Sequence, residues 1–144
     1  MTKALIITAM LALAGADAAA AAQSPATVGE LLDSGGKQLT GTEISKFFAG
    51  ATIGGPALGQ PDANFRRKYL PDRTASGEVS SSGGSTKITG TWSANQNNQY
   101  CQDLRTEQGM AIQGCFYYFT IGSRLFMANA NGRSAPVLER QVTR

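Results

Sequence analysis

The chain has 144 residues, with 13 Lys and Arg against 10 Asp and Glu, a formal charge of +3 and no histidine. The missing histidine excludes Ser-His-Asp and Cys-His catalysis and any metal site that requires imidazole. A pI near 9.1 is mildly basic; it favours anionic polymers or head groups but falls short of the charge density of a nucleic-acid binder.

Lys3 opens the chain with a positive charge, Ala4 to Ala14 form an apolar run, and Ala18 to Ala22 end it in small residues. That layout reads as a secretory signal peptide over 1–22, cleaved after Ala20-Ala21-Ala22 and before Gln23. The apolar run is shorter than the roughly 20 residues that span a bilayer, so no integral membrane span is expected in the mature protein. The remaining length suits one domain exported to the periplasm or secreted. Export places residues 39–144 and their two cysteines in an oxidising compartment.

Residues 23–38 read as a short helix and linker: Thr27 and Glu30 fit a capping box, and Gly35-Gly36 stop the helix. A second helix is better marked. Thr40 and Glu43 form another capping box, Leu39 and Ile44 a hydrophobic staple, and Gly50 the C′ position. Ile44, Phe47 and Phe48 line one face, which must dock on a sheet because so short a helix cannot stand alone in water.

From Thr52 onward the pattern turns to short extended runs. They cover 65–70, 77–81, 86–93, 100–105, 111–121, 124–128 and 136–142, the last an edge strand because Pro136 begins it. The turn near Gln108-Gly109 lies midway between Cys101 and Cys115, which sets the two cysteines opposite each other as one disulfide. The absence of strand–helix alternation excludes a doubly wound parallel sheet. The expected fold is mainly β, an antiparallel meander of about seven strands forming a half-barrel or barrel, with one or two short N-terminal helices.

The order of several of these signals resembles a family of small exported bacterial β-domain proteins of unknown function. The residues that carry the likeness are Leu39-Thr40 with Glu43-Ile44, Phe48-x-Gly50-x-Thr52, Tyr69-x-Pro71-Asp72, Gly77, Gly90-Thr91-Trp92 and two later cysteines, across roughly 39–120. The resemblance implies an exported, helix-capped β domain and carries over no catalytic residues.

Candidate ligand-binding residues are Arg66, Arg67, Lys68, Tyr69, Trp92 and Tyr117. Arginine offers a bidentate fork to an oxyanion, yet strand alternation puts Arg67 on the face of Phe65 and Tyr69, and Arg66 with Lys68 on the other. The three charges therefore cannot form one patch, and a solvated face beside a core face accounts for most of the cluster. Phe116 and Tyr118 point one way and Tyr117 and Phe119 the other, so the second set needs cover from a helix, a partner or a ligand. A central strand covered by the Phe47 helix is the simpler account of them. Asp62, Asp72, Glu78, Asp103, Glu107 and Glu139 are scattered, each beside a turn or strand end. No catalytic residue, cofactor or metal site is expected.

The expected role is non-enzymatic binding of an envelope component, small ligand or protein, with no nucleic-acid partner. An inhibitor of a lysozyme-like enzyme, a histidine-free hydrolase using paired carboxylates and a purely structural envelope protein are the alternatives. Like charges weigh against the inhibitor, since lysozymes are usually basic too.

Overall fold

The computed structural model describes residues 23–144; the expected signal peptide, 1–22, lies outside the described residues. Nine strands and two helices run in the order α1 (Val28–Asp33), β1 (Lys37–Gln38), α2 (Gly41–Phe48), β2 (Thr52–Ala57), β3 (Gln60–Tyr69), β4 (Thr74–Ser81), β5 (Gly84–Ala94), β6 (Tyr100–Thr106), β7 (Ala111–Ile121), β8 (Arg124–Ala128) and β9 (Leu138–Thr143). Strands β2 to β9 close into an antiparallel eight-stranded barrel, and β1 adds to the free side of β7.

Two strands beyond the expected seven are present. β2 contains Gly54, Gly55 and Pro56, residues that read as breakers. It forms because it lies between β3 and β9, with Pro56 next to a register shift where the ladder is already irregular. The 136–142 run is not an edge: β9 pairs with β2 on one side and β8 on the other and so closes the ring. Pro136 precedes the strand and makes only an isolated bridge to Thr27, so the ladder loses no donor to it.

Close inter-strand approach depends on small residues. A Cβ at Gly77 would collide with the Arg66 carbonyl of the neighbouring strand. Cys101 and Cys115 pair across β6 and β7 and form the expected disulfide.

The barrel has a closed end and an open end. Helix α2 seals the closed end, fixed by the complete Thr40–Glu43 capping box and by Asn98, whose Oδ1 accepts from the Gly41 N–H at 2.9 Å. From α2, Phe48 enters the interior, stacked on Tyr100 with centroids 4.6 Å apart and edge-on to Tyr69 and Tyr118 at 5.0 and 4.9 Å. Trp92 completes this aromatic plug at 5.8 Å from Phe48.

The outward-facing Phe119 is covered by α1 rather than by the Phe47 helix. Val28 and Leu31 pack with Phe119, Phe126, Ala128 and Val137 in a second cluster outside the barrel wall. The short helix expected within 23–38 is present as α1 and packs against the barrel wall. No helix among the described residues is long and apolar enough to cross a membrane.

Candidate functional site

An eight-stranded barrel has an interior just wide enough to be filled by side chains or to hold one small ligand. Along the axis of this barrel one part is filled by side chains and another is open. Beyond the aromatic plug lies a cavity of about 670 Å³, within the range of small-molecule sites. Its rim is formed by the tips of three hairpins, at Leu58, Gly83 and Met110. Leu58 and Met110 are 41% and 66% exposed, two of the few large apolar side chains that face solvent.

The floor and walls carry an unusual charge. Arg67 of β3 and Arg140 of β9 are 8% and 3% exposed, and both line the cavity. Period-2 alternation accounts for their orientation: Arg67 shares the inward face with Phe65 and Tyr69, and Arg140 with Val142. Gly55 makes room for Arg140, since a Cβ there would stand 3.0 Å from Nη1. The Phe65 ring holds both cations, with guanidinium carbons 4.4 Å (Arg67) and 5.0 Å (Arg140) from its centroid.

Their hydrogen bonding is incomplete. Arg67 Nη1 donates to Gln102 Oε1 at 2.7 Å, and Arg140 Nη1 donates to the Pro56 carbonyl at 2.7 Å. Arg140 Nη2 meets the Met127 sulfur at 3.5 Å, and the Tyr118 hydroxyl also contacts the Arg140 guanidinium. The Nε atoms of both arginines are buried without a partner. The ion pairs of the described residues are Lys37–Glu43, Arg124–Glu139 and Arg133–Asp33, so neither interior arginine is in one. No Asp or Glu among the described residues lines the cavity.

The nearby phenols supply no negative charge either. Burial pushes Tyr100 and Tyr118 far above the ordinary phenol value, and for Tyr118 the Arg140 and Arg67 charges oppose that rise only in part. They remain neutral donors; the Tyr100 hydroxyl donates to Gln102 Oε1 at 3.2 Å. Burial draws Arg140 below the ordinary guanidinium value, and the like charge of Arg67 acts in the same sense. Guanidinium stays protonated in proteins, so the cavity holds two cations with no counter-charge among the described residues.

The expected site residues are divided by this arrangement. Arg67 lines the cavity, whereas Arg66 and Lys68 stand on the outer wall in a shallow groove with Lys87 and Glu78. Tyr69 and Trp92 are buried in the plug, where Trp92 Nε1 donates to the Leu70 carbonyl at 3.3 Å. Tyr117 faces outward and packs against the α1 cluster. Arg140, Gln102 and Phe65 join Arg67 at the site without having been singled out from sequence. The available signal was a cation in the inward phase of a strand, seen once at Arg67 and again at Arg140.

The six scattered carboxylates lie exposed, outside the cavity. Among the described residues, no three His, Cys, Asp or Glu side chains come together to hold a metal ion. No protein family, curated protein or solved structure matches the chain.

Proposed function

We propose that this is an exported, periplasmic or secreted binding protein that carries or senses a small molecule in the open half of its barrel, without chemical turnover. The observation that supports the reading is the cavity of about 670 Å³ bounded by two buried arginines that have no carboxylate partner. A buried charge without a partner is unfavourable by several kcal/mol in real proteins, and a ligand is the simplest way to offset that term. The disulfide and the expected signal peptide support export.

Filling the cavity tests this. Nile red, a neutral apolar dye, is expected to bind one per protein with enhanced fluorescence, and Ile112→Trp to abolish binding while circular dichroism stays unchanged. An equal fluorescence rise in the filled variant would place the dye elsewhere and contradict the reading.

A further inference from the structure

The two arginines specify more than a cavity, and the chemistry they select rests on the small-molecule reading of that cavity. Each guanidinium has five N–H donors in a planar fork, and those of Arg67 and Arg140 are used sparsely. Beyond the contacts to Gln102, Pro56, Met127 and Tyr118 the guanidinium groups keep further N–H donors, the two Nε–H groups among them enclosed by protein. Both cations are held against a single ring, Phe65. Gln102 presents its carbonyl oxygen to Arg67 and to the Tyr100 hydroxyl, satisfying donors without neutralising charge. Two cations that line one cavity, neither of them in an ion pair, suit an acceptor that bears negative charge.

The rest of the cavity has a different character. An acidic head group occupies only a small part of about 670 Å³. Beyond the arginines the lining mixes apolar Ala57, Leu58, Val79, Met110, Ile112 and Phe116 with uncharged Ser, Thr and Gln side chains, and no further charge of either sign appears among the described residues. A bare inorganic anion would leave the apolar part of that surface uncovered. A ligand with an acidic end and an apolar end satisfies both halves.

We propose that the cavity binds an amphiphilic organic anion, with its oxyanion head between Arg67 and Arg140 and its apolar chain running toward the Leu58–Met110 rim. Carboxylate and phosphate heads share this chemistry, and a matched set of probes separates them.

Calorimetric titration of the purified protein with dodecanoate, dodecyl phosphate, dodecanol and acetate, below micelle-forming concentrations, tests the assignment. Dodecanoate or dodecyl phosphate is expected to bind one per protein about tenfold or more tightly than dodecanol; the tighter of the two identifies the head group. Acetate is expected to bind far more weakly, because it leaves the apolar walls uncovered. Arg67→Gln and Arg140→Gln should each remove the preference for the anion. Since an interior substitution can disturb folding, Gln102→Glu is the second variant. It is nearly isosteric and places a carboxylate beside Arg67 Nη1, so it should fold, weaken the anionic probes about tenfold and leave dodecanol unaffected. Equal affinity for dodecanol and both anions, unchanged in Gln102→Glu, would overturn the anionic head while leaving the cavity reading standing. Acetate binding as tightly as dodecanoate would overturn the apolar chain. A folded protein that binds none of the twelve-carbon probes would overturn both readings.

Discussion

Arg67 and Arg140 show how a residue type that normally seeks water becomes an interior group. In each case the neighbours in the same strand phase are apolar, so the backbone offers the side chain no route outward. Aromatic contact with Phe65 and bonds to Gln102 and Pro56 offset part of the desolvation, while a full counter-charge is missing. Replacing both arginines by methionine is therefore expected to leave the fold intact and raise the melting temperature, as an uncompensated charged pair gives way to apolar volume; a fall of several degrees would show that the cations stabilise the barrel instead. Outside the barrel, electrostatics is ordinary and legible. The Lys37 ammonium and the Thr40 N–H hold the Glu43 carboxyl down at about 2. A lowered folded-state value stabilises the protein above the unfolded value near 4.5, and that contribution fades as pH falls from there toward 2. Glu43→Gln should accordingly flatten the acid limb of a stability–pH curve in that window, with no change at pH 7 in its slope. Thr40→Ala, which removes the reciprocal half of the box, should cost about 1 kcal/mol in chemical denaturation.

Helix α2 was readable because its signals are local: a cap at Thr40, a staple from Leu39 to Ile44 and a left-handed Gly50 just past its end. The β6–β7 hairpin was readable for a similar reason, since the turn position alone fixes which residues face each other. Strand β2 was not, because Gly54, Gly55 and Pro56 have poor intrinsic strand preference. Only the approach of β3 and β9, the latter distant in sequence, makes an extended path there favourable. The motif residues Thr40, Glu43, Phe48, Asp72 and Trp92 all serve the closed end. Asp72 caps its turn through Thr74, which draws its carboxyl down, and Phe48 and Trp92 form the plug. These residues thus build the scaffold, and none of them lines the cavity. Phe48→Ala should remove the centre of the plug and cost about 3–5 kcal/mol, measured by urea denaturation. Reducing the 101–115 disulfide releases a loop of sequence separation 14 and is expected to cost roughly 3 kcal/mol in the same assay.

At the scale of the whole molecule, closure explains what alternation could not. A flat meander would leave Tyr117 and Phe119 facing water or a partner. A closed barrel instead gives each strand an inside and an outside, with α2 plugging one end of the interior and α1 covering part of the outer wall. Alternation along each run was visible in the sequence, but whether the first and last strands meet depends on β2 and β9, whose Gly- and Pro-marked segments concealed their pairing. For the same reason Arg140 was invisible as a site residue: only closure brings β9 to the side of β3 where both arginines share Phe65. The barrel's central feature is that shared pair of uncompensated cations facing an otherwise uncharged cavity. The most direct measurement is the pH titration of the carboxyl carbon of bound [1-¹³C]dodecanoate by NMR. Two adjacent guanidinium groups should hold the bound carboxyl ionised well below the titration range of the free acid, and Arg140→Gln should move it back up. A bound carboxyl that titrates at or above the free acid would mean that the head group does not meet the arginines.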